Sequence, residues 1–218
     1  MPNPNPKPEL PPELPFEERY RWEPTMGRTG RYRDLQTGRI VAQTTVRADI
    51  DRFIAERNKV IDSLSQDLID GKMSIADWQR AVRVEIKDMH RATVSVARGG
   101  YRQMSQSDWG WVGVALMAQY RYLDNFAADI ANGRQPLDGR LMTRARMYGE
   151  AARGSHEEMV RRMSGLIGLN EERRVLGIAD HCPGCLEQAD LDWQPYGTLP
   201  PIGSQDCLTH CKCHFEYR

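Results

Sequence analysis

No cysteine precedes position 182, and the chain carries no excess of charge: thirty Lys and Arg face thirty Asp and Glu, for a formal net charge of zero. A protein without net charge has no overall field to draw it onto nucleic acid, whose affinity comes largely from phosphate neutralisation. The nearest thing to a basic face is Arg140, Arg144, Arg146 and Arg153, diluted by Asp138 and Glu150, and it reads as a solvated helix face. Long apolar runs are missing too. The longest, Trp111 to Ala118, falls far short of the roughly 20 residues that span a bilayer. The start, MPNPNPKPELPPELP, has neither the basic beginning nor the apolar centre of a secretory signal, so the expectation is a protein that stays in the cytoplasm. His90 and His156 lack a second histidine or carboxylate at a metal-motif spacing and read as satisfied or solvent-facing. No catalytic constellation stands out, and the chain is read as a non-enzyme.

What is present is a chain of 218 residues, enough for one ordinary domain and a small appendage. Proline at nearly every second position of the first 15 residues forbids helix and favours an extended arm, read over 1–30. Over 31–45, Arg31 to Val41 reads as a β-hairpin turning at Gly38. A helical domain follows over 46–170. Apolar residues from Val46 to Ile69 recur at helical spacing, with Thr44 or Thr45 as the cap and Gly71 past the end. Ser74 to Asp77 and Ser105 to Asp108 have capping-box spacing. They open helices that put Trp78, Val82, Ile86 and Met89, then Trp109, Val112, Leu116, Leu123 and Phe126, on their inner faces. A fourth helix, from about Asp138 to Gly165, buries Leu141, Ala145, Tyr148, Ala152, Met159 and Met163, with Gly154-Ser155 as a candidate bend. The fold class expected is mainly α: long amphipathic helices in a bundle or in hairpins, a small N-terminal β-hairpin, and a C-terminal cysteine-rich zinc module over 171–218.

All five cysteines lie in that module, as Cys182-Pro183-Gly184-Cys185 and then Cys207, Cys211 and Cys213. Four thiolates at about 2.3 Å satisfy a tetrahedral zinc ion without redox chemistry. Such an ion substitutes for a core where only Leu186, Leu191, Trp193, Tyr196, Leu199 and Ile202 are on hand to bury. An odd cysteine count in a cytoplasmic chain argues against disulfides. A thioredoxin-like pair would need a βαβ context that the remaining chain is too short to supply, although Arg173 to Gly177 has strand character. His181, His210 and His214, all close to candidate ligands, read as spare or supporting ligands rather than as bases for a cysteine nucleophile. Spacing favours Cys182, Cys185, Cys207 and Cys211 as the four, with Cys213 the runner-up, and it does not separate zinc from iron.

The terminal pattern His181-Cys182-Pro183-Gly184-Cys185, Trp193, Gly197-Thr198-Leu199-Pro200-Pro201, Gly203, Cys207 and Cys211-Lys212-Cys213 resembles the end of minor head proteins of tailed bacteriophages, the Mu F-like head morphogenesis group. It covers about a sixth of the chain. It departs from the commonest ending of that group, in which a histidine shortly precedes the paired cysteines; here Cys207 stands near that place. The resemblance implies a virion component, assembled in the host cytoplasm, that associates with portal or major capsid protein, self-associates, and meets packaged DNA. The alternative is a zinc-bearing nucleic-acid-binding regulatory protein. From His181 onward, however, only Lys212 and Arg218 stand against Glu187, Asp190, Asp192, Asp206 and Glu216, a balance that repels phosphate.

Overall fold

The computed structural model describes residues 14–25 and 28–218. The proline-rich positions up to 13 lie outside them, so the arm expected there is not described. The fold is mainly helical, with a small antiparallel sheet at each end of the chain and the cysteines clustered near its end.

The first sheet has three strands, β1 (Tyr20–Thr25), β2 (Arg28–Asp34) and β3 (Ile40–Val41), in the order β1-β2-β3. The turn at Gly38 is where the sequence places it, with φ +70°. The extra strand β1 falls in the stretch read as arm. Tyr20, Trp22 and Tyr32 explain why it pairs: all three are buried in the main core, and the Tyr32 hydroxyl donates to the Ala97 carbonyl at 2.7 Å. A two-stranded hairpin alone would be marginal; a third strand and an apolar face against helices supply the burial it needs.

Four long helices follow: α1 (Gln43–Ile69), α2 (Ile75–Arg98), α3 (Gln106–Ala131) and α4 (Gly139–Leu166). Ser74 and Ser105 cap α2 and α3 through their hydroxyls, the latter in a complete box with Asp108. The expected cap of α1 is not there. The helix starts two or three residues earlier, with Ala42 at the cap position and no side-chain cap, so Thr44 and Thr45 lie within its first turn. Helix α2 packs against α1, α3 and α4, and α4 also covers α1. Trp78, fully buried on α2, meets Phe126 of α3 edge-on at 5.2 Å and donates through Nε1 to Ser65 of α1 at 3.2 Å. Helix α4 runs unbroken through Gly154 and Ser155. Of the four arginines read as a solvated face, Arg140, Arg144 and Arg146 do face solvent, paired with Asp138, Asp129 and Asp62, whereas Arg153 departs from that reading and is buried beside Asp51.

Gly99 ends α2 in the left-handed region, at φ +95°, and a Cβ there would stand 2.2 Å from the Trp22 backbone nitrogen. Both the turn and the approach of β1 require glycine at this position.

After α4 comes a second sheet in the order β5-β4-β6, built from β4 (Glu171–Val175), β5 (Gln194–Pro195) and β6 (His214–Tyr217), with the short helix α5 (Pro183–Asp190) between β4 and β5. Leu199, Phe215 and Tyr217 join the same core as the four helices, whereas Leu186 and Leu191, expected inside, are exposed. The C-terminal segment therefore docks onto the helical body instead of closing over an apolar core of its own. Thr29 donates to the Tyr217 carbonyl at 3.3 Å and ties the two sheets together.

Candidate metal centre

Strand β4 reads Glu-Glu-Arg-Arg-Val, and its alternation turns Glu172 and Arg174 inward. Buried charges need partners, and both have them. The Glu172 carboxylate accepts from Arg161 Nε of α4 at 2.8 Å and from the Leu199 amide at 3.0 Å, and Arg161 also donates to the Leu199 carbonyl at 2.8 Å. One buried ion pair thus fixes α4, β4 and the loop before the later cysteines in a single register. Arg174 donates to the Pro200 carbonyl and turns its other nitrogen to Cys185 Sγ at 3.7 Å.

Five sulfurs converge beside it. Cys182 caps α5, Pro183 occupies its first turn, and the Cys185 amide donates to the Cys182 carbonyl at 3.0 Å, so the Cys-x-x-Cys pair sits on one helix start. Cys207 and Cys211 flank a short 3-10 turn, Leu208–His210, and Cys213 directly precedes β6. Gly177, beyond β4, lies so close to the Lys212 carbonyl that a Cβ would stand 2.1 Å from it. That contact packs the Cys211-Lys212-Cys213 turn against the strand exit.

Cys185 Sγ is 3.5 Å from Cys207 Sγ and 3.8 Å from Cys211 Sγ. Sulfurs bound tetrahedrally to zinc at about 2.3 Å lie about 3.8 Å apart. The sulfurs form two groups of three, Cys182-Cys185-Cys207 and Cys185-Cys211-Cys213, within each of which every pair is closer than 4.8 Å. Cys185, Cys211 and Cys213 are buried and Cys182 and Cys207 half-buried; none of the five is in a disulfide. All five candidate ligands are therefore brought together, and the favoured set Cys182, Cys185, Cys207 and Cys211 draws on both groups.

Sulfurs this crowded cannot all ionise by themselves. The Cys213 S–H, helped by backbone N–H groups, holds Cys211 down to about 4 against its burial. Cys213 is pushed up by that neighbour and then by burial, Cys207 and Cys185 first by burial. A divalent cation bound here would let the remaining thiols lose their protons, because metal ligation requires the thiolate.

The histidines separate. His181 directs Nε2 to the Gly177 carbonyl at 2.9 Å and Nδ1 to Cys213 Sγ at 3.7 Å. His210 is exposed, and His214 lines a cleft with Arg47 and belongs to neither group of close sulfurs, its pKa lowered chiefly by burial. His90 and His156 are buried in the helical core, His90 Nδ1 against Ser155 at 2.8 Å and His156 Nδ1 against Glu157 at 3.1 Å, which disposes of a solvent-facing role. The sequence reading missed Arg174 and the Gly177 carbonyl. The one available signal was a charged pair at alternate positions of a strand, which faces inward only when the fold supplies partners.

Beside Cys211 a cleft of about 260 Å³ opens between α3 and α4, lined by Trp111, Gln119, Glu150 and Glu158 among others. Among the described residues no helix is long and apolar enough to cross a membrane. No family model, curated protein or solved structure matches this chain.

Proposed function

We propose that this chain is a structural assembly protein of a tailed-phage head, a minor head protein whose C-terminal module is locked to its helical body by thiolate-bound zinc. The observation that carries the reading is the placement of the cysteines. They converge at the spacing zinc needs, on a module fixed to the body by the buried Arg161–Glu172 pair and by Lys212 with Glu150 at 2.9 Å. Such a centre holds a surface in shape. The cysteine, glycine and proline pattern of the terminus, which resembles that of phage minor head proteins, supplies the context.

The outer face of α3 fits a docking role. Val114 and Met117 are each 68% exposed and Tyr122 60% exposed on one helix. The cations of the module offer little to phosphate: Lys212, Arg173 and Arg218 are paired with Glu150, Glu216 and Glu171, and Arg174 is buried, which disfavours the nucleic-acid regulator.

The test is co-sedimentation of the purified chain with the portal oligomer and the major capsid protein of the same phage. Stoichiometric binding to one of them, weakened at least tenfold by Met117→Lys with the fold intact, is the expected result. Absence of binding to both, together with a salt-dependent shift of duplex DNA, would replace this reading with the regulatory one.

A further inference from the structure

Five cysteines are one too many for a single tetrahedral ion and one too few for two separate sets of three sulfurs. From the way the sulfurs divide, we infer that the module holds two zinc ions bridged by the Cys185 thiolate. The outer ion takes Cys182 and Cys207, and the inner ion takes Cys211, Cys213 and His181. This rests on the zinc reading above and extends it to a second, shared site.

The geometry has three parts. First, the two groups of mutually close sulfurs have Cys185 and only Cys185 in common, and sharing it employs every cysteine. Under a one-ion arrangement drawn from both groups, one thiol stays idle beside the others. Second, His181 is already set up as a ligand. Its Nε2–H donates to the Gly177 carbonyl at 2.9 Å, which leaves the lone pair on Nδ1, and Nδ1 faces Cys213 at 3.7 Å. A ligating histidine characteristically anchors its other nitrogen to a carbonyl in this manner, and nitrogen and sulfur on one tetrahedral zinc lie about 3.6 Å apart. His181 stands outside the 4.8 Å group of the three inner sulfurs, so the site is completed by a small approach of Cys185 and Cys211 toward Nδ1, with Nε2 kept on the Gly177 carbonyl. Third, the charges balance. Five thiolates against two divalent ions leave a single negative charge, and the buried Arg174 guanidinium lies 3.7 Å from the bridging sulfur.

The two ions differ in exposure. Cys182 and Cys207 are half-buried, so the outer ion has three sulfurs and a fourth position open to water; the inner ion has four protein ligands, its three sulfurs buried. Chelation therefore proceeds in two phases, the outer ion leaving first.

The experiment is native mass spectrometry of the full chain after zinc saturation and gel filtration, paired with elemental analysis. Two zinc ions per chain are expected. Cys207→Ser and Cys213→Ser each retain one, His181→Ala releases the inner ion at least tenfold faster, and Cys185→Ser loses both. Should Cys185→Ser fail to fold, cadmium-113 NMR of the cadmium-loaded full chain decides the sharing: two signals coupled to each other through the bridging sulfur are expected, and two uncoupled signals overturn it. One ion in the saturated wild-type chain overturns the bridged pair and leaves the single structural zinc standing. No ion overturns both. Two ions, of which Cys185→Ser loses only one in a folded chain, overturn the sharing.

Discussion

Glu172→Ala is the substitution that most directly probes how the module is held to the body. The wild-type carboxylate is fully buried and pairs with the Arg161 guanidinium, whose side chain is 7% exposed. Its removal leaves that guanidinium buried with the Leu199 carbonyl, the Phe215 ring at 4.7 Å and the longer contact to the part-exposed Glu158 carboxylate at 3.9 Å as its remaining partners. It also strands the Leu199 amide. Breaking one side of a buried ion pair costs about 3–5 kcal/mol, a large share of the roughly 5–15 kcal/mol that a domain has in all. Urea unfolding followed by helical circular dichroism, and in parallel by the reactivity of the five thiols, measures the loss. The expected outcome is a destabilisation of about 3 kcal/mol or more, with the thiols exposed ahead of helix loss. Adding Arg161→Met should restore part of the stability, because it removes the stranded charge. A single variant within about 1 kcal/mol of wild type, with thiols still protected, would refute the claim that this pair anchors the module.

Gly99→Ala places a side chain at φ +95° and against the Trp22 backbone, and it should cost well over the roughly 1 kcal/mol of the left-handed conformation alone, read from thermal unfolding. Trp78→Ala should cost about 3–5 kcal/mol by opening a cavity between α1, α2 and α3, measured by urea unfolding. His90 is buried against α4, and desolvation lowers its pKa to about 4. The unfolded chain therefore binds the extra proton first as pH falls below about 6.5, and stability should drop between there and about pH 4. His90→Gln should flatten that part of the profile. Glu157 works in the same direction lower down: burial alone would raise its pKa, but Arg47 and His156 hold it well below the usual carboxylate range. Its stabilisation is in place above about pH 4.5 and is lost as pH falls through its folded pKa.

The long helices were legible because their signals are local. The hydroxyl of Ser105 and the carboxylate of Asp108 close a box within four consecutive residues, and the stripe Val112, Leu116, Leu123 and Phe126 needs only the helical period. The cysteine cluster was legible from the types and spacing of its residues. What escaped notice depends on partners far along the chain. Tyr20 and Trp22 become a strand because α2 ends at Gly99 against them, and nothing near residue 20 announces a surface some eighty positions later. Arg153 looks like one of several solvated arginines until Asp51 of α1 is placed beside it. Phe215 and Tyr217, two residues among a polar terminus, enter the main core because β6 pairs with β4 on the flank of α4. His181 was noted as a spare ligand, but its orientation is set by the Gly177 carbonyl, a backbone group that no side-chain motif records.

The central claim is that the cysteines hold a structural metal, and the measurement closest to it is the zinc content of the purified full chain together with a thiol titration before and after chelation. The account predicts stoichiometric zinc, thiols that stay unreactive while it is bound, and all five reactive once it has been removed. Metal-free protein whose five thiols react at once, or are already paired as disulfides, would contradict it.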